Sequence, residues 1–275
     1  MKNINKFKWH TDLNIGLIML LIPIVLGVFA PLISNLDIDL VDSANRLKSI
    51  NALNWMGTDN LGRDVFTRTI YGIRVSLFIG VLVTALSLVT GIIIGIYASY
   101  FKRTGDMIMR LLDGIMAFPT IILAITMAGI LGSGVPNIII ALTVSYFPTF
   151  VRITRERVIA VKKTDYVESA VAIGKGNAYI IRNYIIPNII APLIVQATFI
   201  FAMAILNESI LSFLGVGLKV PMPSLGGMVS DGRNYMMIAP WIIMFPGLII
   251  SLIVFSINLI GDGLRDVLDP QSESI

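Results

Sequence analysis

Residues 114–151 read GIMAFPTIILAITMAGILGSGVPNIIIALTVSYFPTFV, from Gly114 to Val151, without one Asp, Glu, Lys or Arg. A bilayer crossing takes about 20 mostly apolar residues, so this run is too long for one helix and right for two. Its middle, Gly132-Ser133-Gly134-Val135-Pro136-Asn137, has the composition of a turn. Reading outward from charge to charge gives four more windows: Leu13 to Leu36, Val75 to Phe101, Asn183 past Glu208 to Leu218, and Asn234 to Gly261. The expected fold class is an all-α membrane protein with six transmembrane helices. The spans fall at about 13–36, 75–101, 114–131, 135–151, 188–214 and 241–260, within a single membrane domain, 13–262. An N-tail, 1–12, and a C-tail, 263–275, flank it, and the largest inner loop is 152–187.

Composition agrees. The 275 residues are 56% hydrophobic and 14% charged, with mean hydropathy +0.84. Soluble domains carry about 25% charge, so a soluble globular enzyme, a disordered chain and a nucleic-acid-binding module are excluded. The net charge of +4 reflects a membrane's charge asymmetry. Cys is absent and His10 is the one histidine, which removes disulfides, thiolate nucleophiles, Cys-ligated metals and an HExxH zinc site. No metal site is expected.

Orientation follows from Lys and Arg, which concentrate in cytoplasmic loops. With the N-terminus inside, the inner segments hold 14 of them and the outer segments 7. Both termini are therefore expected in the cytoplasm. Lys2, Lys6 and Lys8 ahead of the first apolar run resemble a secretion signal, but the run is longer than a signal core and Pro31 follows Ala30. An uncleaved first helix is expected.

In the inner loop, Asp165-Tyr-Val-Glu168 has the spacing of a capping box, with Asp165 as N-cap and Glu168 three residues later. Ser169-Ala-Val-Ala-Ile173 is short and apolar, and Gly174 supplies a left-handed stop. A helix of about two turns is marginal alone and needs packing. The residues leave two readings open: docking in a protein groove, or resting on lipid headgroups.

Here the chain resembles a known family. Glu168-Ser169-Ala170, Gly174 after three residues, and Ile186-Pro187 resemble the EAA motif of ABC importer permeases, with Ser169, Tyr184 and Ile186 as departures. Gly57-Thr-Asp-Asn-Leu-Gly-Arg-Asp-Val-Phe-Thr-Arg68, Leu211-Ser-Phe-Leu-Gly-Val-Gly217, Gly226 to Tyr235 and Asn258 to Pro270 resemble C-type permeases of the dipeptide, oligopeptide and nickel branch. Leu225 stands where that branch commonly has Trp. The resemblance covers about residues 10–270 and implies a type I ABC importer permease fold in the cytoplasmic membrane of a prokaryote. It also implies a heterodimer with a second homologous permease, two cytoplasmic ATPase subunits and an extracytoplasmic substrate-binding protein. It makes 152–187 a coupling loop, with Asp165, Tyr166, Val167, Glu168, Ser169, Ala170, Val171 and Gly174 as the ATPase-coupling residues. Val167, Ala170 and Val171 are expected to be buried in the ATPase cleft. The chain has no G-x-x-x-x-G-K-[ST], so no cofactor is expected on it, and ATP and Mg fall to the partner ATPases. It is read as a transport subunit, not an enzyme.

Glu208 is the one acidic residue well inside an expected span, about 30 Å above Asn188 at 1.5 Å per residue. Intramembrane carboxylates are costly and commonly face a path or a partner. Asn207 and Glu208 are therefore candidates for the translocation path, against the plainer reading of an internally hydrogen-bonded carboxylate. Asp59 to Asp64 lacks the ligand spacing of a calcium loop and reads as turn and cap, and Asp64 to Arg74 as an amphipathic surface helix. The substrate reading is short peptides. A peptide path is wide, weakly polar and poor in fixed charge, whereas a bare metal ion calls for His or clustered carboxylates. A nickel or metal-chelate importer is the alternative. A channel or secondary transporter is remote, with no filter-like sequence and no inverted repeat.

Overall fold

The computed structural model describes residues 2–268 except 35, 37, 39 and 220, and over 2–10 the backbone alone. In the described residues the regular structure is helical. Helix α1, Lys2–Val28, is followed by the short α2, Ala30–Ile33, and by an outer loop to Asp64. Helix α3 is Val65–Tyr100, α4 Lys102–Met116, α5 Thr120–Leu131 and α6 Val135–Lys162. On the inner side follow α7, Asp165–Ala172, and α8, Asn177–Ile180. A π turn, Ile181–Ile185, then runs straight into α9, Ile186–Phe213. Helix α10, Leu225–Gly232, lies in the second outer loop, and α11, Trp241–Leu268, closes the fold. Among the described residues, five helical stretches are long and apolar enough to cross a membrane, or six if α4 and α5 count as one bent span.

The helix starts obey local chemistry. Asp64 caps α3, its carboxylate accepting from the Thr67 N–H at 2.7 Å. Ser224 does the same for α10 at the Gly227 N–H, 2.9 Å. Pro187 lacks the N–H that would bond the Asn183 carbonyl, and the turn before it widens to π pitch.

Three spans differ from expectation. The surface helix and second span are one helix of 36 residues, about 54 Å long, because no breaker interrupts 65–100. The expected span 114–131 is broken: α4 and α5 meet at 88° across Ala117-Phe118-Pro119. Pro119 cannot donate within a helix, and Phe118, as the residue before proline, is pushed out of helical geometry. Helix α6 runs beyond 151 to Lys162, taking in the first third of the inner loop.

Lipid offers apolar helices no hydrophobic reason to associate, so small residues and close packing decide the contacts. On α3, Ser87, Gly91 and Gly95 are buried four residues apart against α6. A methyl placed on Gly91 would lie 2.3 Å from the Phe150 Cβ, and one on Gly95 2.6 Å from the Thr154 Cβ. Only glycine admits that approach. Gly80 meets α9 in the same way, 2.6 Å from the Phe201 ring. The main core combines Ile79 and Val83 of α3, Ile138, Leu142 and Phe150 of α6, and Ile189 and Leu193 of α9.

Candidate functional site

The expected two-turn helix of the inner loop is α7. Its N-cap is Thr164, not Asp165, and no side chain caps it, so the capping box does not form. Asp165 and Glu168 occupy the first turn instead, where they complement the helix dipole. The C-terminal stop is complete. Gly174 has φ +85°, its N–H donates to the Val171 carbonyl at 2.9 Å, and the Lys175 N–H donates to Ala170 at 3.1 Å, the paired bonds of a Schellman turn.

The faces of α7 correct the residue-level expectation. Val167 and Ala170 are 2% and 5% exposed because they pack on this chain's own core, Val167 within the main cluster. They cannot also fill a partner's cleft. Tyr166 meets Tyr184 in a tilted ring contact with centroids 5.9 Å apart, and Tyr179 meets Tyr184 edge-on at 6.0 Å. Lys175 sits 4.9 Å over the Tyr179 ring. The outward face carries Asp165, Glu168, Ser169, Val171 and Ile173, with Val171 58% and Ile173 78% exposed. Ile173 was missed because it lies just past the motif. Its signal is a large aliphatic residue immediately before a left-handed glycine.

This loop stands on a brace that sequence reading also missed. Helix α4 is amphipathic, and its polar side places Asp106 and Asp113 opposite Arg155 and Arg152 of α6. Arg155 donates to Asp106 at 2.6 Å, and Arg152 pairs with Asp113. Spacings of seven on one helix and three on the other mark a pairing that only a known crossing could reveal.

Glu208 is fully buried on α9. Ser76 of α3 donates to Oε2 at 2.8 Å and Ser212 to Oε1 at 2.9 Å. Asn207, 4% exposed, donates through Nδ2 to the Tyr146 hydroxyl of α6. The two neighbours tie α9 to α3 and to α6.

On the outer side Asp59, Arg63 and Arg68 are nearly buried together. Arg63 Nε lies 2.6 Å from Asp59, Arg68 Nε 3.8 Å from the same oxygen, and Arg63 also reaches Asp231 of α10 at 3.7 Å. Burial raises the Asp231 carboxyl above its usual range, and Arg63 and then Arg68 oppose that shift. Trp241 donates to the Thr58 carbonyl at 3.1 Å, so the first outer loop is latched to α10 and α11.

Residues 87–273 match the family of binding-protein-dependent transport system inner membrane components. This chain belongs to that family. It is a multi-pass inner-membrane transport component, and its system depends on a binding protein. The chain is 45% identical over 262 residues to a putative peptide transport system permease protein of Brucella abortus, covering 95% of this chain and 88% of that one. It is 42% identical over 261 residues to the dipeptide transport system permease protein DppC of Alkalihalophilus pseudofirmus, covering 94% and 86%. Against the oligopeptide transport system permease protein OppC of Bacillus subtilis the identity is 36% over 267 residues, covering 97% and 88%. Among solved structures, a chain of the inward-facing methionine ABC transporter MetNI shares the fold. The TM-score is 0.60 at 18% identity, over 73% of this chain and 96% of that one.

Proposed function

We propose that this permease forms half of the import path for short peptides and couples it to ATP hydrolysis on partner subunits. The observation that carries the substrate reading is the agreement of the similar permeases. Their names specify peptide, dipeptide and oligopeptide transport at 36 to 45% identity over nearly the whole chain. The membrane interior fits such a cargo. Its one buried acidic side chain among the described spanning residues, Glu208, is held by two serine hydroxyls and is 0% exposed, so it offers a zwitterion no accessible carboxylate.

Both termini and α7 lie on the cytoplasmic side in this reading, as the Lys and Arg distribution requires. A second, homologous permease supplies the other half of the path, two ATPases carrying ATP and Mg sit beneath, and a binding protein delivers peptide from outside. Val171 and Ile173, with Tyr166 and the acidic first turn, form the knob that enters an ATPase. Val167 and Ala170 anchor that knob to the permease, and Gly174 ends it. Asn207 and Glu208 act on the path indirectly, by holding α9 against α3 and α6.

Uptake of labelled di- and oligopeptides, beside labelled nickel with and without chelator, tests the function in a strain deleted for this chain. Loss of peptide uptake is expected. Loss of nickel uptake with peptide uptake intact overturns the substrate.

A further inference from the structure

Helix α4 turns 88° away from α5. Helix α5 packs beside the crossing helix α6, with Ala124 and Ala128 set among Ile138 and Leu142, so α4 lies across the bundle and not along it. Its depth is marked by α6. Asp106 pairs with Arg155 and Asp113 with Arg152, and Arg152 is the first cation on the inner stretch of α6. The helix therefore rests at the inner surface of the membrane. Its last turn is closed, the Ala117 and Phe118 N–H groups donating to the Asp113 and Ile115 carbonyls at 3.0 and 3.3 Å.

The 15 residues of α4, about 22 Å long, divide between three surroundings. Gly105 and Leu112 are buried, Gly105 so close to α3 that a methyl there would lie 2.2 Å from the Ala98 carbonyl oxygen. Asp106 and Asp113 are taken by α6. The open side carries Met107 and Leu111, 66% and 62% exposed, beside the exposed Arg103 and Arg110. At 100° per residue these four side chains fall within about 100° of arc. Among the described residues no ion pair takes Lys102, Arg103 or Arg110. With both acids of α4 paired inward, its free charge is wholly positive.

An apolar stripe bordered by cations, on a helix lying in the membrane plane, is the design of an interfacial helix. The neighbouring surface of α3 leads into it. Val89, Ile93, Tyr97 and Phe101 recur every four residues as an exposed ridge, Tyr97 and Phe101 touch with ring centroids 4.7 Å apart, and Phe101 directly precedes α4. Tyrosine is enriched where hydrocarbon meets headgroups, so the lipid-facing surface continues from mid-span onto α4. The charge specifies the lipid. The cytoplasmic leaflet is anionic, and Lys or Arg held at its surface is attracted to it.

We propose that α4 is a lipid anchor, with Met107 and Leu111 immersed in the inner leaflet and Arg103 and Arg110 binding the phosphates of anionic phospholipid. This anchor does not depend on what the path carries. Its pairing with Arg152 and Arg155 passes its position to the inner end of α6, which stops at Lys162 with only Lys163 and Thr164 before α7. The anchor thus sets the height at which α7 is presented.

The chain has no cysteine, so single thiols report without background. Met107→Cys and Leu111→Cys, with Ile18→Cys on the exposed side of α1 as lipid reference, are spin-labelled in the complete transporter in nanodiscs, its partner chains carrying no reactive cysteine. Collisions are measured with oxygen, which concentrates in hydrocarbon, and with a water-soluble nickel chelate. Both α4 labels are expected to favour oxygen, as Ile18→Cys does. Low collision with both reagents means burial against the partner permease and overturns the proposal. Collision dominated by the chelate means a water-lined surface and overturns it too. In nanodiscs of mixed phosphatidylcholine and phosphatidylglycerol, the double variant Arg103→Gln, Arg110→Gln is compared with Arg103→Lys, Arg110→Lys by native mass spectrometry of the lipid retained. Phosphatidylglycerol retention is expected to fall by about fivefold per charge removed and to survive in the lysine variant. Retention unchanged in the glutamine variant overturns the anchor as well.

Discussion

Replacing Ile173 by Ser separates docking on a partner from packing within the permease. Ile173 keeps 78% of its surface exposed and Val171 58%, so both have burial left to gain. Fully burying an aliphatic side chain contributes about 1.5–3 kcal/mol, and the share Ile173 still exposes is then about 1–2 kcal/mol. At 1.4 kcal/mol per factor of ten, Ile173→Ser weakens ATPase binding by about 5- to 30-fold. Val171→Ser acts in the same direction and somewhat less. Val167→Ala does something different. Its side chain is already 2% exposed within this chain, so the change opens a cavity costing about 2 kcal/mol and lowers the permease's own thermal stability. The assay titrates purified ATPase subunits onto the permease pair in nanodiscs and records thermal unfolding of the permease alone. Ile173→Ser should shift binding and leave unfolding unchanged, with peptide uptake falling in step with binding. If Ile173→Ser and Val171→Ser both bind ATPase within about twofold of the unsubstituted protein, the exposed face of α7 is not the docking knob.

Gly174→Val places a β-branched residue at φ +85°, a strain of about 1–2 kcal/mol, and should cut ATPase co-purification and uptake while membrane insertion persists. Glu208→Ala leaves the Ser76 and Ser212 hydroxyls without their buried acceptor, at about 1–3 kcal/mol. Glu208→Gln, which keeps an acceptor, should recover most of the stability seen in detergent thermal unfolding. A role in the path alone predicts equal stability for both variants. Gly91→Val drives a side chain into Phe150, where a methyl already meets Cβ at 2.3 Å. Carbon pairs need about 3.5–4.0 Å, so α3 and α6 must separate, and the purified permease should lose its compact, protease-resistant form. Reporter fusions after Arg103, Arg157 and Ile275 should read cytoplasmic and one after Arg46 external. An external signal at Arg157 would reverse the assigned face of α7.

Membrane class and most of the apolar windows could be read without structure because partition between lipid and water is a property of each residue and its near neighbours. The left-handed stop at Gly174 was legible for the same reason. The acidic start of α7 was only half legible. Asp165 and Glu168 do lie in the first turn, but the cap moved to Thr164, a shift of one residue that spacing alone does not decide. The charge-free run 114–151 correctly divides at Gly132 to Asn137. It conceals a second break at Pro119, because hydropathy is blind to a change of direction between apolar residues.

Residue chemistry alone assigns this chain to a membrane and roughly locates its long apolar helices. It also determined that a short acidic-headed helix closed by glycine interrupts the inner side. Each of those depends on chemistry confined to a window of a few turns. Packing between distant segments fixes which face of that helix is outward, because Val167 lies in the core among residues of other helices and Ala170 is buried as well. It decided that Glu208 is a clamp between helices, since Ser76 stands 132 residues away. It also decided that the apolar stretch before Gly132 is bent, α4 and α5 meeting at 88°. Contacts between distant segments carry no local signature, and in a bilayer, where apolar faces gain nothing by mere association, such contacts settle the arrangement.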